Sequence, residues 1–274
     1  MMKKFLAVMI VAMFMLAAGS AYAATISIYY DVPGVGQTTV FDSQVATNID
    51  ATSTYDNGFG KGASFVDIGD FVIGAFKNGA DTLGSVDTVG LNDNWELTGR
   101  WTALSGYVDD MITDGSNQTY TFQYTSGNLN LYADTSMNAN FGAGIGSSDD
   151  VASTFTDGTL LASLELVGGN GSLTIPASGK LTGSIALTWK FVEVAEGVWF
   201  SPDGQDMKEL LEGKGFVDVN TLQSVGIRIN EGIPTTIDSR TVATVEYGVP
   251  EPSTILLLGA GLFGLGLYAR KRMS

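Results

Sequence analysis

Carboxylates are the one plentiful reactive group in this chain of 274 residues. It has 29 Asp plus Glu against 14 Lys plus Arg, and no His or Cys. Without imidazole or thiol, no Ser-His-Asp triad, Cys-His pair, zinc or haem site, or disulfide can be assembled. What remains is carboxylate, Tyr, Lys or Ser-Lys chemistry, or none. Three pairs of acids stand in oxygen-rich surroundings: Asp109-Asp110, Asp149-Asp150, and Asp203 with Asp206 in Pro202-Asp203-Gly204-Gln205-Asp206. Such pairs could contribute to a calcium site, since calcium takes six to eight oxygen ligands. None matches an EF-hand loop or a calcium-binding repeat, and solvated loop acids are the plainer reading. Glycoside hydrolysis needs two acids about 5–10 Å apart across a cleft, and nothing in the linear order selects a pair. S-x-x-K, G-x-S-x-G and phosphate-loop motifs are all missing. The chain reads as a non-enzyme with no cofactor, calcium aside.

Aromatic rings are the other candidate contacts, because a flat apolar face with a polar rim suits a sugar. Trp95, Trp101 and Trp189 fall on the apolar sides of alternating runs and read as core. Tyr29 and Tyr132 fall on polar sides, and Trp199 stands before a Ser-Pro-Asp-Gly turn, so these three are the positions for glycan contact. A net charge of −15 argues against nucleic acid, which needs a basic face.

The elements that must position these residues are strands. Apolar and polar residues alternate through Ile26–Tyr30, Trp95–Ala103, Thr119–Thr125, Asn128–Ala133, Leu181–Phe191, Ser224–Ile229 and Ala243–Tyr247. Phe65–Phe76 and Leu160–Val167 are apolar on both faces and read as central strands. Ser126-Gly127 predicts a hairpin turn, and Asn57-Gly58, Asn78-Gly79, Asp114-Gly115, Asp157-Gly158 and Asp203-Gly204 predict further turns. One short helix is expected at Asp206–Glu212, ended by Gly213, with a weaker candidate at Tyr107–Thr113. Asn138–Asp150 reads as a surface loop. The expectation is an all-β ectodomain over residues 24–248, a single β-sandwich of jelly-roll type.

The two ends are addresses. Met1-Met2-Lys3-Lys4, an apolar run from Phe5 to Leu16, and Ala21-Tyr22-Ala23 make a signal peptide over residues 1–23, cut after Ala23. Residues 249–274 hold Pro250-Glu251-Pro252, an apolar stretch from Ile255 to Ala269, and Arg270-Lys271-Arg272. A helix over that stretch would rise about 22 Å, short of a bilayer core of about 30 Å. Local thinning would let it span as a transmembrane sorting helix, with the basic cluster on the cytoplasmic side.

This ending resembles the PEP-CTERM sorting signal of Gram-negative bacteria, in which a Pro-Glu-Pro motif, a short glycine-rich membrane helix and a basic cluster follow in that order. The resemblance implies a precursor anchored in the inner membrane, processed by signal peptidase and by an exosortase. It also implies a mature form at the cell surface or in the extracellular matrix, with exopolysaccharide as partner. Three inner segments, Asn128–Asp134, Asp157–Leu173 and Val198–Pro202, resemble the flocculation-associated PEP-CTERM proteins, which implies a role in biofilm or floc. The alternatives are a carbohydrate-binding module of the envelope and a calcium-dependent enzyme acting on polysaccharide.

Overall fold

Strict alternation gives each strand one face to bury and one to wet. In the computed structural model, which describes residues 24–146 and 150–249, this pattern yields thirteen strands among the described residues. They are β1 (Ala24–Thr25), β2 (Tyr29–Val32), β3 (Gly36–Gln37), β4 (Ser43–Tyr55), β5 (Ser64–Asn78), β6 (Asp81–Thr82) and β7 (Glu96–Asp114). Then come β8 (Asn117–Asp134), β9 (Thr159–Ile175), β10 (Thr182–Val194), β11 (Trp199–Phe200), β12 (Phe216–Asn230) and β13 (Thr235–Val249).

Eight of these strands, β4, β5, β7, β8, β9, β10, β12 and β13, pair with their successors in antiparallel fashion. The last returns to the first, from Thr235 opposite Tyr55 to Glu246 opposite Ser43. The ladder is therefore a closed up-and-down barrel. The expected all-β class holds, but the jelly-roll sandwich is corrected. A sandwich keeps edge strands, whereas pairing β13 with β4 leaves the ring none. Strands β2, β3 and β11 form a separate small sheet.

Three local expectations also change. Ser126-Gly127 does not turn: β8 runs straight through it, opposite a register shift in β7 beside Ala103, whose φ is +56°. Gly127 serves close approach instead, since a Cβ there would lie 2.9 Å from Leu104 Cα. The hairpin is made at Asp114-Gly115, where Asp114 pairs with Asn117. Tyr107–Thr113 is strand within β7, while the one described α-helix, α1, is the single turn Lys208–Leu211, followed by Gly213 at φ +71°.

The barrel has an apolar inside and a wet outside. Ile49, Phe71, Trp101, Leu131, Trp189 and Val245 are buried, while Asn128, Glu165, Lys190 and Asn220 on the outward parity are exposed. That is the reverse of a lipid-facing barrel, whose outer band is apolar and lumen polar. Glycines make room for interior rings. A Cβ on Gly69 would meet the Trp101 indole at 2.0 Å, and one on Gly99 would meet Phe71 at 2.1 Å.

The two ends differ. At one end the connections are long, and an aromatic plug closes the barrel: Trp199 stands edge-on to Tyr30, Phe191 and Tyr247 at 4.7–5.6 Å. Tyr30, Tyr247 and Gln44 hydrogen-bond to one another in a ring at 2.7–2.9 Å, which satisfies the polar atoms of the plug. At the other end the connections are shorter, spanning residues 56–63, 115–116, 176–181 and 231–234. Thr25–Gly248 form one compact unit that contains the ring, the plug and the core.

Candidate functional site

Toward the end opposite the plug, the interior is not filled. A cavity there leaves about 70 Å³ for the centres of water-sized molecules, between Tyr55, Asp67, Trp101 and Tyr124 on one side and Ile227 and Ile237 on the other. An apolar cavity of about 150 Å³ takes benzene, so this smaller one holds a few waters or one small organic body. Asp67 is only 4% exposed, and it lies on the core parity of β5 with Phe65, Gly69 and Phe71. Trp101 Nε1–H donates to Asp67 Oδ1 at 2.5 Å, and the Ser53 hydroxyl donates to Oδ2 at 2.6 Å.

Burial pushes the Asp67 carboxyl up to about 6, while those two hydrogen bonds pull it down. The phenols of Tyr55 and Tyr124 are raised, first by burial and then by the Asp67 charge, so both stay neutral. Further rings pack against the lining tyrosines: Phe65 sits 5.3 Å from both Tyr55 and Tyr124, and half-buried Phe59 lies 5.1 Å from Tyr55 and 4.3 Å from Tyr120. Phe59 is carried by the 56–63 connection between Gly58 and Gly62, at φ +86° and +82°.

A second cluster lies on the outer wall. Arg240, Asp50, Asp70 and Arg100 are consecutive cross-strand neighbours on β13, β4, β5 and β7. Arg100 Nη1 donates to both oxygens of Asp70 at 2.6 and 2.7 Å, and Arg240 donates to Asp50 through Nε at 2.5 Å and through Nη2. The segment after β8 folds back over this row. Arg240 donates to Gly144 O at 3.0 Å and stacks over Phe141 at 5.8 Å, and Thr98 donates to Phe155 O at 3.0 Å. Burial, then the Asp50 and Asp70 charges, push Asp150 up to about 8, and burial pushes Asp70 up to about 6 against the pull of Arg100. The described residues of this loop, 138–146 and 150, thus pack against the barrel as a strap.

The residues expected from sequence fall as follows. Trp199 is fully buried in the plug, and its Nε1–H donates to Leu161 O at 3.0 Å, so it is corrected from glycan contact to core. Pairing of β11 with β2 turns its indole inward. Tyr29 is half-buried and stacks on Phe200 at 5.2 Å, and Tyr132 is half-buried on the outer face of β8. Asp110 pairs with Lys61 at 2.6 Å, and its neighbour Asp109 is exposed. Asp206 accepts from Gly197 N at 2.7 Å and Lys208 N at 2.8 Å, and Asp203 accepts from Ser201. Asp203 and Asp206 thus organise a turn while Asp109 and Asp110 stand on β7, and the described residues contain no cluster of three acids able to hold a metal. Asp149, Ala21, Ala23, Pro250, Glu251, Pro252, Arg270, Lys271 and Arg272 lie outside the described residues. Asp67 was missed, although an acid on the core parity of a two-faced apolar run is a readable signal.

Residues 248–272 match the PEP-CTERM protein-sorting motif. The chain is therefore an exported protein bearing an exosortase sorting signal at its C terminus. No curated protein matches it. Among solved structures it is similar to the crystal structure of Ail, the attachment invasion locus protein of Yersinia pestis, at 8% identity over 76% of this chain and 98% of that one, with a TM-score of 0.14. The barrel assignment rests on the closed ladder of this chain itself.

Proposed function

We propose that this chain is a non-catalytic cell-surface or matrix protein, delivered by exosortase sorting and acting with exopolysaccharide in biofilm or floc. The observation that carries this reading is the sorting motif over residues 248–272. Removal of both ends takes Lys3, Lys4, Arg270, Lys271 and Arg272, leaving nine basic residues against 29 acids, a net charge of −20 with Glu251 retained. Five of those nine cations are already held in ion pairs on the barrel. Such a surface meets an acidic polysaccharide through bridging divalent cations or local uncharged contacts, because direct charge attraction is unfavourable.

Deleting the gene should change cell aggregation, and restoring the chain without residues 249–274 should fail to rescue it. The purified barrel should release no product from the host polysaccharide. Product release abolished by converting one acid to its amide would refute the non-catalytic reading. Intact mass of the exported protein still including Arg270–Arg272 would refute the sorting step.

A further inference from the structure

We propose that the barrel interior is a binding site for a small organic ammonium ion with a compact apolar body, its nitrogen on Asp67 and its body among the aromatic rings. This goes beyond the surface role above and does not depend on it. The argument begins with an unbalanced charge. Asp67 lies inside an apolar barrel, and none of the ion pairs among the described residues includes it. A buried carboxylate without a counter-charge is costly, and a protein that keeps one has usually placed it where a charge arrives.

Trp101 and Ser53 satisfy one lone pair on each oxygen and fix the carboxylate plane, leaving its remaining lone pairs for further donors. Asp67 and the two phenols line the same cavity. Neither the Tyr55 nor the Tyr124 hydroxyl has a hydrogen-bond partner among the described residues, and neither is an enclosed orphan, so both remain free to bond an occupant. The rings of Tyr55, Phe122 and Tyr124 line the same cavity and suit a cation, which is drawn to aromatic rings as well as to the carboxylate. A carboxylate ligand would be repelled, and a neutral one would leave Asp67 unbalanced.

The probe is benzylammonium, with benzyl alcohol as its neutral match and benzoate as the anion. Titration into the residue 24–249 barrel at pH 7.5, read by tryptophan fluorescence and by calorimetry, should show saturable one-site binding of benzylammonium. Benzyl alcohol should bind at least about tenfold more weakly, and benzoate should not bind. Asp67→Asn should weaken benzylammonium by more than about tenfold while leaving benzyl alcohol unchanged.

If that variant fails to fold, the native barrel supplies the same test. The titratable groups facing Asp67 are the Tyr55 and Tyr124 phenols, both neutral, so benzylammonium affinity should fall between pH 7 and pH 5 while benzyl alcohol affinity stays level. Equal affinity for the amine and the alcohol, an amine affinity insensitive to both Asp67→Asn and pH, or no saturable binding up to millimolar amine would each overturn the proposal. The last result would leave a hydrated cavity.

Discussion

Replacing Asp67 by Asn tests the central claim about the interior, that a carboxylate is held there against burial. In the unfolded chain this group ionises near its ordinary value of 3.8, and in the barrel it ionises near 6. At 1.36 kcal/mol per unit, the difference is about 3 kcal/mol. Because the folded value is the higher one, the native state binds more protons between those two values. Stability from this group is therefore greatest below about pH 4 and falls as pH rises through 6, after which the loss is constant. Asn carries no such dependence, though it also rearranges the bonds from Trp101 and Ser53, which shifts stability by a pH-independent amount. The quantity to measure is the change in the difference. Urea unfolding of the residue 24–249 barrel, wild type and variant, followed by Trp fluorescence at pH 3 and pH 7, removes the contributions of all other acids. The variant should gain about 3 kcal/mol on the wild type between the two pH values, at unchanged m. A difference flat to within about 0.5 kcal/mol would show that the carboxylate is as well solvated in the barrel as outside it, and the reasoning about an unbalanced interior charge would fail.

Trp199→Ala should destabilise the barrel by about 3–5 kcal/mol in urea unfolding, because it empties the plug and removes one of the two donors to Leu161 O, and should leave glycan-array binding of the folded fraction unaltered. Gly69→Ala drives a methyl into the Trp101 ring, so a loss of about 1–3 kcal/mol and a shifted Trp emission maximum are expected. Raising the pH from 6 to 9 ionises Asp150 beside Asp50 and Asp70, so hydrogen exchange, corrected for its intrinsic pH dependence, should speed up over residues 138–146 of the strap. Asp150→Asn should abolish that pH dependence. Unchanged corrected exchange across the range would mean that Asp150 does not titrate against the wall.

The alternation Leu97, Gly99, Trp101 in β7 and Leu129, Leu131, Ala133 in β8 is local, and it identified strands whose inward residues are indeed buried. Pairing is not local. Whether the last strand meets the first depends on register between Glu246 and Ser43, about 200 positions apart, and no periodicity within either strand reports it. Bulges made the long strands look like several short ones, which is how Ser126-Gly127 passed for a hairpin and how a sandwich of many strands was expected in place of a ring of eight. Turn residues misled for a related reason: the Ser-Pro-Asp-Gly turn after Trp199 announces a surface loop, yet the pairing of β11 with β2 fixes the indole inward.

Glycine was the signal most open to a better reading. Thirty-five glycines look like loops and turns, but Gly69 and Gly99 lie inside strands, each vacating the volume that a ring on the next strand fills. A core built this way is set by paired choices on neighbouring strands, so changing one partner leaves either a clash or a void. The same pairing brings Trp101 over Gly69 and within reach of Asp67, one strand away. The buried acid and the missing side chain are thus one arrangement: without the glycine the indole could not donate to the carboxylate, which would lose one of its two donors.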